Sequence, residues 1–433
     1  MLHKAPNLLS RFLGAPFPNG IRHSSSAPPS VTDQMIQYVN RECKGRHDQA
    51  IDVLRSGLGM FPEKQGIDFA RLMAMTASIE TDRSNWGEAL SCSQLATSAL
   101  TGAHVSADPM TAPTLLNCGS MMLRGFLAQG QDAEAKAAAD STAEALAGLG
   151  PPSGATRAAS LGLRLASRHA AGDWEPASKL AEQLADASSQ QSLSTAQQRG
   201  GPPLGLPQSF AALGQWHAAQ RGAGPEAEAE AQAAFSQGVQ PWHSVSLKGM
   251  EDAEARAACF VGQAGLAIRA SQWEQAEECL GQALQVAEGI STDTHPRVVP
   301  ILTQLGYVYS RSARVTFAEG LYRECAKILK LDVSRSTTWS LQPSPLHPNL
   351  VAMLAWRFHQ LLAVMPNRGN EASSWEQLAQ AMWAKTGAYG SEDSLSTTFG
   401  GAKHLSGQDH AGAGTVVALQ LRRGLSVHFG MGV

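Results

Sequence analysis

Residues 302–325 read LTQLGYVYSRSARVTFAEGLYREC. Leu302, Leu305 and Tyr309 recur at helical spacing, with the small Gly306 beside them. That is the apolar stripe of an amphipathic helix with one gap in it. Ala318, Tyr322 and Cys325 follow as small–large–small on a second helical stretch. A small residue on the second helix lets it approach the first closely. The stretch therefore predicts an antiparallel helix hairpin.

The same grammar continues upstream and downstream. A tryptophan followed three residues later by Ala or Leu occurs in Trp86-Gly-Glu-Ala89, Trp174-Glu-Pro-Ala177, Trp273-Glu-Gln-Ala276 and Trp375-Glu-Gln-Leu378. Breaks precede each one: Ser84-Asn85, Gly172-Asp173, Ser271-Gln272 and Ser373-Ser374. Each tryptophan is thus expected to shield a turn and open a second helix. The unit before 302–325 carries Phe260, Ala264 and Ala267, then Ala276, Leu280 and Ala283. Fainter copies sit at Ala50 with Leu54, at Met73, Ala77, Ala89 and Ala96, at Gly130 with Ala135, and at Leu161 with Ala177. A further pair spans 210–235 around Gly222-Ala-Gly-Pro225, and the last spans 350–385 with its turn at 366–370. The expectation is an all-α protein, an α-solenoid of seven or eight antiparallel helix hairpins over about residues 31–388.

On these residues, 302–325 resembles a tetratricopeptide repeat (TPR), and the array as a whole a TPR-like superhelix. The 42 residues from Ala276 to Ala318, and the Asp293-Thr294-His295-Pro296 junction, are similar to the extended kinesin-light-chain type of repeat. His347-Pro348 recurs before the helix at Asn349, after an insertion around 334–344. The resemblance implies a concave groove, lined by first-helix residues, that takes a protein partner. It turns Thr303, Tyr307, Ser310 and Arg311 inward, and Val261, Gly265, Ile268 and Arg269 one hairpin earlier. Arg269 and Arg311 would then hold a partner's carboxylate together, or else be solvated or paired with Glu274 or Glu319. The Lys-and-Asn clamp of chaperone-binding relatives is missing, because Gly265, Tyr307, Ser78 and Ala166 stand where its Asn would be. Binding of heat-shock chaperone tails is therefore disfavoured.

Composition fits this picture. The chain has 433 residues, 43% hydrophobic and only 16% charged, against a usual ~25% charged. It has nine Trp and a net charge of −3. A large core is affordable, and a basic nucleic-acid groove is not favoured. Residues 1–30 contain Lys4, Arg11 and Arg22, no acid, a leucine-rich stripe and a Ser/Pro-rich end. They read as an unfolded organelle transit peptide, or else as an N-terminal extension with no address. The remainder divides into TPR-like hairpins over 31–184, a flexible Ser/Gln/Gly/Pro-rich insertion at 185–209, and TPR-like repeats over 210–388. A Gly-rich tail at 389–433 is either loose or carries a docking segment at 415–429. No stretch reads as a membrane span. The six cysteines show no C-x-x-C spacing and read as buried, reduced residues.

Signatures of chemistry are absent: no phosphate-binding glycine loop, no H-E-x-x-H, no G-x-S-x-G, no zinc spacing. His295 and His347, each before a proline, read as turn caps. Glu251, Asp252 and Glu254 read as carboxylates stabilising a helix N-terminus. We expect no enzyme activity, no cofactor and no metal. The function class is a protein–protein interaction scaffold or accessory subunit of a mitochondrial complex, in the matrix or at the inner-membrane periphery, with the chloroplast as alternative site. Competing classes are an organelle RNA-binding helical-repeat protein, a cytosolic kinesin-light-chain-like cargo adaptor, and an enzyme with a cavity under the 185–209 insertion.

Overall fold

The computed structural model describes residues 30–43, 46–83, 85–100, 108–129, 131–149, 154–171, 173–190, 206–219, 225–239, 250–290, 295–331, 346, 348–384 and 395. Among the described residues there are sixteen α-helices and no strand. They pair into eight hairpins: α1 (Val31–Glu42) with α2 (His47–Leu58), α3 (Ile67–Asp82) with α4 (Trp86–Ala99), α5 (Thr111–Ala128) with α6 (Asp132–Gly148), and α7 (Gly154–Ala171) with α8 (Trp174–Gln190). Then come α9 (Leu206–Ala219) with α10 (Pro225–Val239), α11 (Met250–Arg269) with α12 (Trp273–Ile290), α13 (Val299–Arg311) with α14 (Val315–Ile328), and α15 (Pro348–Ala363) with α16 (Gly369–Ala384). Each hairpin packs on the next through its second helix, its first helix or both, so the fold is an all-α, TPR-like solenoid.

One turn is used repeatedly. The residue that caps the second helix donates its N–H to the carbonyl five residues back, near the end of the first helix. The bonds are Asn85 to Glu80, Gln131 to Phe126, Asp173 to Arg168, Gln272 to Ala267 and Arg314 to Tyr309, all at 2.8–2.9 Å. Ser271 and Ala313, just before the last two caps, adopt the left-handed φ that this closing motif requires. Four residues beyond each cap stands an alanine whose N–H returns to the cap carbonyl: Ala89, Ala135, Ala177, Ala276 and Ala318. Ala50 after Arg46 and Ala372 after Arg368 repeat the bond. All seven are buried, and their small side chains let the two helices of a hairpin close on each other.

This register corrects the fourth tryptophan copy. Trp86, Trp174 and Trp273 open second helices, but Trp375 lies in the middle of α16. Ser373 and Ser374 are helical, their hydroxyls bonded to the carbonyls of Gly369 and Asn370. The small position of that hairpin is Ala372, not Leu378. Trp375 instead packs its ring 4.9 Å from Phe358 of α15. The edges of the 185–209 insertion also move inward: α8 runs to Gln190 and α9 begins at Leu206. At the other end, Ser30 caps α1 in a reciprocal pair with Asp33. The leader at 1–29, the rest of the insertion, and the 415–429 docking segment lie outside the described residues.

The buried apolar residues form four clusters that follow chain order. The first joins hairpins one and two, around Leu54 and Leu72, and the second joins two and three, around Ala77 and Cys118. The third covers three to five, around Leu165 and Leu184, and the fourth covers five to eight, around Tyr322 and Phe358. Tyr322 lies flat over Gly306, where an added Cβ would come within 2.7 Å of its ring. The gap in the sequence stripe is therefore the seat of an aromatic ring.

Candidate functional site

The first helices of the eight hairpins carry the positions expected to line the groove. Their burial decides which groove residues remain reachable. Thr303 is 1% exposed; its hydroxyl donates to the Val299 carbonyl at 2.8 Å and lies 3.8 Å from Cys325 Sγ. Ile268 is 2% exposed, inside the cluster of hairpins five to eight. Both were expected to line the groove, and both are core residues instead. Thr303 faces Cys325 on the second helix of its own hairpin, and Ile268 is enclosed among the apolar residues of hairpins five to eight.

The two arginines do not form a shared clamp. Arg269, the last residue of α11, donates to Glu228 at 2.9 Å and to the Ala218 carbonyl at 2.7 Å. It therefore ties its hairpin to the one before. Arg311, the last residue of α13, lies 5.7 Å over the Trp273 ring. Glu319, the alternative partner, is taken by Arg323 and Arg368. Tyr307 is half-buried, edge-on to Trp273 at 6.4 Å, with the Arg357 guanidinium 3.9 Å from its ring centre. Trp273, Tyr307 and Arg311 thus make one partly exposed aromatic–cationic seam where α12 meets α13.

Sequence reasoning missed a second feature of the concave side. Asp82 ends α3, Arg124 lies on α5, Glu254 near the start of α11, and His295 and Arg297 at the turn into α13. The Glu254 carboxylate accepts from Arg124 Nη1 and Nη2 at 3.3 and 3.4 Å, and from Arg297 Nη2 at 2.6 Å. Arg297 Nη2 also meets Asp82 Oδ1. His295 accepts the Arg297 N–H on Nδ1 at 3.1 Å, which leaves the proton on Nε2 to donate to the Asp82 carbonyl at 2.9 Å. The side chains of Arg124, Glu254 and Arg297 are fully buried.

The charges balance, two guanidiniums against two carboxylates, which is the condition for burying ions at all. Burial pushes the Glu254 carboxyl up from its usual value, opposed by Arg124 and Arg297. Burial, with Arg297 next, lowers His295 to about 4, so the ring is neutral at physiological pH. His295 does cap its turn, as its place before Pro296 suggested. Glu254, expected to stabilise the helix N-terminus, is a buried ion held by Arg124 and Arg297. The available signal was its spacing: Ala257, Ala258 and Val261 put it on an apolar face of α11, where an acid needs a partner.

The chemistry of the remaining groups is quiet. Burial raises the thiols of Cys92 and Cys325 to about 12 and raises Cys259 as well, so none is an activated nucleophile. Among the described residues, no group of three His, Cys, Asp or Glu is placed to hold a metal ion, and no helix is long and apolar enough to cross a membrane.

Residues 255–330, covering most of α11 through α14, match the family model described as Tetratricopeptide repeat. With the hairpin array, that match supports a TPR-type repeat protein, a fold class that typically serves as a non-catalytic protein-interaction scaffold. No curated protein matches the chain.

Proposed function

We propose that the protein is a non-catalytic scaffold that holds a protein partner, a subunit or assembly intermediate of a large mitochondrial complex. The carrying observation is the tetratricopeptide match at 255–330 within a continuous array of similarly closed hairpins. Such arrays offer long surfaces for peptides and protein domains. The half-buried seam of Trp273, Tyr307 and Arg311 is the part of the concave side best suited to a partner, since aromatic and Arg side chains dominate interface energetics. The basic, acid-free leader with Lys4, Arg11 and Arg22 supports organelle import, with the mitochondrion preferred over the chloroplast.

The test is affinity capture of the tagged full chain from intact mitochondria and, separately, from chloroplasts. Wild type is compared with a Tyr307→Ala/Arg311→Glu variant. The expected result is a defined set of organelle subunits, reduced by about 30-fold in the variant, the scale of one interface hot spot. Failure of import into both organelles would remove the location. Recovery of the same proteins by wild type and variant would remove the seam. Salt-sensitive capture of RNA in place of protein would remove the scaffold reading.

A further inference from the structure

In a simple solenoid each repeat touches only its neighbours. Here the second and third hairpins reach the sixth and seventh. Asp82 and Arg297 are 215 residues apart in sequence, and Arg124 and Glu254 are 130 apart. Only the inner face of a curved array can meet itself this way, so these side chains join across the concave side. The four apolar clusters behave differently. Each runs between consecutive hairpins, and none bridges hairpins two and three directly to hairpins six and seven. Among the described residues, the bridging groups with assigned partners are ions, hydrogen-bond donors and backbone carbonyls.

That division has a mechanical consequence. Parting the two faces would break ion pairs and hydrogen bonds but would open none of the four apolar clusters. Neighbouring hairpins would stay packed, because their own cores are separate. We propose that Asp82, Arg124, Glu254, His295 and Arg297 form a latch that holds the solenoid wound shut, and that its release opens the concave side to a partner. A closure made by apolar packing would respond weakly to pH and charge, but this one is poised to respond to both. The charged groups acting on His295 are Arg297 on its own turn, Asp82 from α3 and Arg124 from α5, with Glu254 from α11 held by Arg297. A proton on Nδ1 removes the acceptor for the Arg297 amide and sets a third cation beside two guanidiniums. Acid therefore loosens the latch, and so does any occupant that takes Asp82 or Glu254 away from the arginines.

The latch stands independently of the scaffold reading, whereas its role in partner access rests on it. The test uses the full chain, with amide hydrogen exchange and small-angle X-ray scattering on wild type and on Asp82→Lys at pH 7. Lysine at position 82 faces Arg297 with a like charge. The expected result is faster exchange by about tenfold in residues 76–82 and 253–260, a larger radius of gyration, unchanged helix content by circular dichroism, and unaltered exchange in α15. Wild type brought from pH 7 to pH 4.5 gives the same pattern and covers the case in which Asp82→Lys does not fold. Wild type that keeps its exchange and radius at pH 4.5, or that loses helix and opens α15 in the same step, overturns the latch. An opened Asp82→Lys chain that captures no more partner than wild type leaves the latch standing and refutes its role in access.

Discussion

Two glycine-to-alanine substitutions of the same kind should move stability in opposite directions. Gly262 lies inside α11, and a Cβ built on it would fall 2.3 Å from Phe235 Cζ and 2.5 Å from Cε1. The ring cannot retreat. On α9, a Cβ at Gly214 would stand 2.6 Å from Phe235 Cδ1, so the ring fills the space between two bare backbones. Phe235 itself is fully buried. Overpacking at such a site costs about 3 kcal/mol, the upper end of its usual range. Removing a helix-interior glycine returns about 1 kcal/mol. Gly262→Ala should therefore destabilise by about 2 kcal/mol.

Gly281 lies on α12 with nothing within 4 Å of the new Cβ. Gly281→Ala should stabilise by about 0.5–1 kcal/mol. The assay is urea unfolding followed by circular dichroism, compared at equal slope. A double-mutant cycle isolates the cause. In a Phe235→Leu background the flat ring is gone, and Gly262→Ala should cost at least about 1 kcal/mol less than in wild type. If Gly262→Ala stabilises as Gly281→Ala does, or costs the same with Leu at 235, the packing argument is wrong.

Two further outcomes follow from the buried groups. His295 titrates near 6.5 when unfolded and at about 4 when folded, so the unfolded chain binds the proton first as pH falls. Its effect is nil above pH 6.5, grows on acidification, and levels off below pH 4 at a loss of about 3 kcal/mol; His295→Asn should flatten that part of the stability–pH curve. Cysteine chemistry is the other check. Cys279 is half-buried, while Cys43, Cys92, Cys118, Cys259 and Cys325 are buried. A thiol reagent at pH 7, read by mass spectrometry, should modify Cys279 first and the other five only after denaturation. Early labelling of Cys259 or Cys325 would contradict the packing of hairpins five to seven.

The hairpins were legible because their causes are local. Ala89, Ala135, Ala177, Ala276 and Ala318 stand four residues after a capping residue, and each small side chain marks a place where two helices must come close. Gly306 against Tyr322 is the same reasoning applied to a ring. His295 before Pro296 could be read as a cap because the cap needs only its own turn. The tryptophan rule failed at Trp375, since a Trp can shield a turn or fill a hairpin core, and sequence spacing does not separate the two.

The concave side was not legible. Thr303 is buried against Cys325 of its own hairpin and Ile268 within the cluster of hairpins five to eight, and Arg269 is bonded to Glu228 and Ala218 of the preceding unit. The ion cluster is further out of reach. Whether Asp82 meets Arg297 depends on small rotations between successive hairpins, summed over the stretch from the second to the seventh. Each rotation is set by side-chain packing at one interface, and only their accumulated total brings the two ends together. Residues 31–384 thus encode the repeated unit in short-range spacing, while the closure of the array on itself belongs to the assembled solenoid.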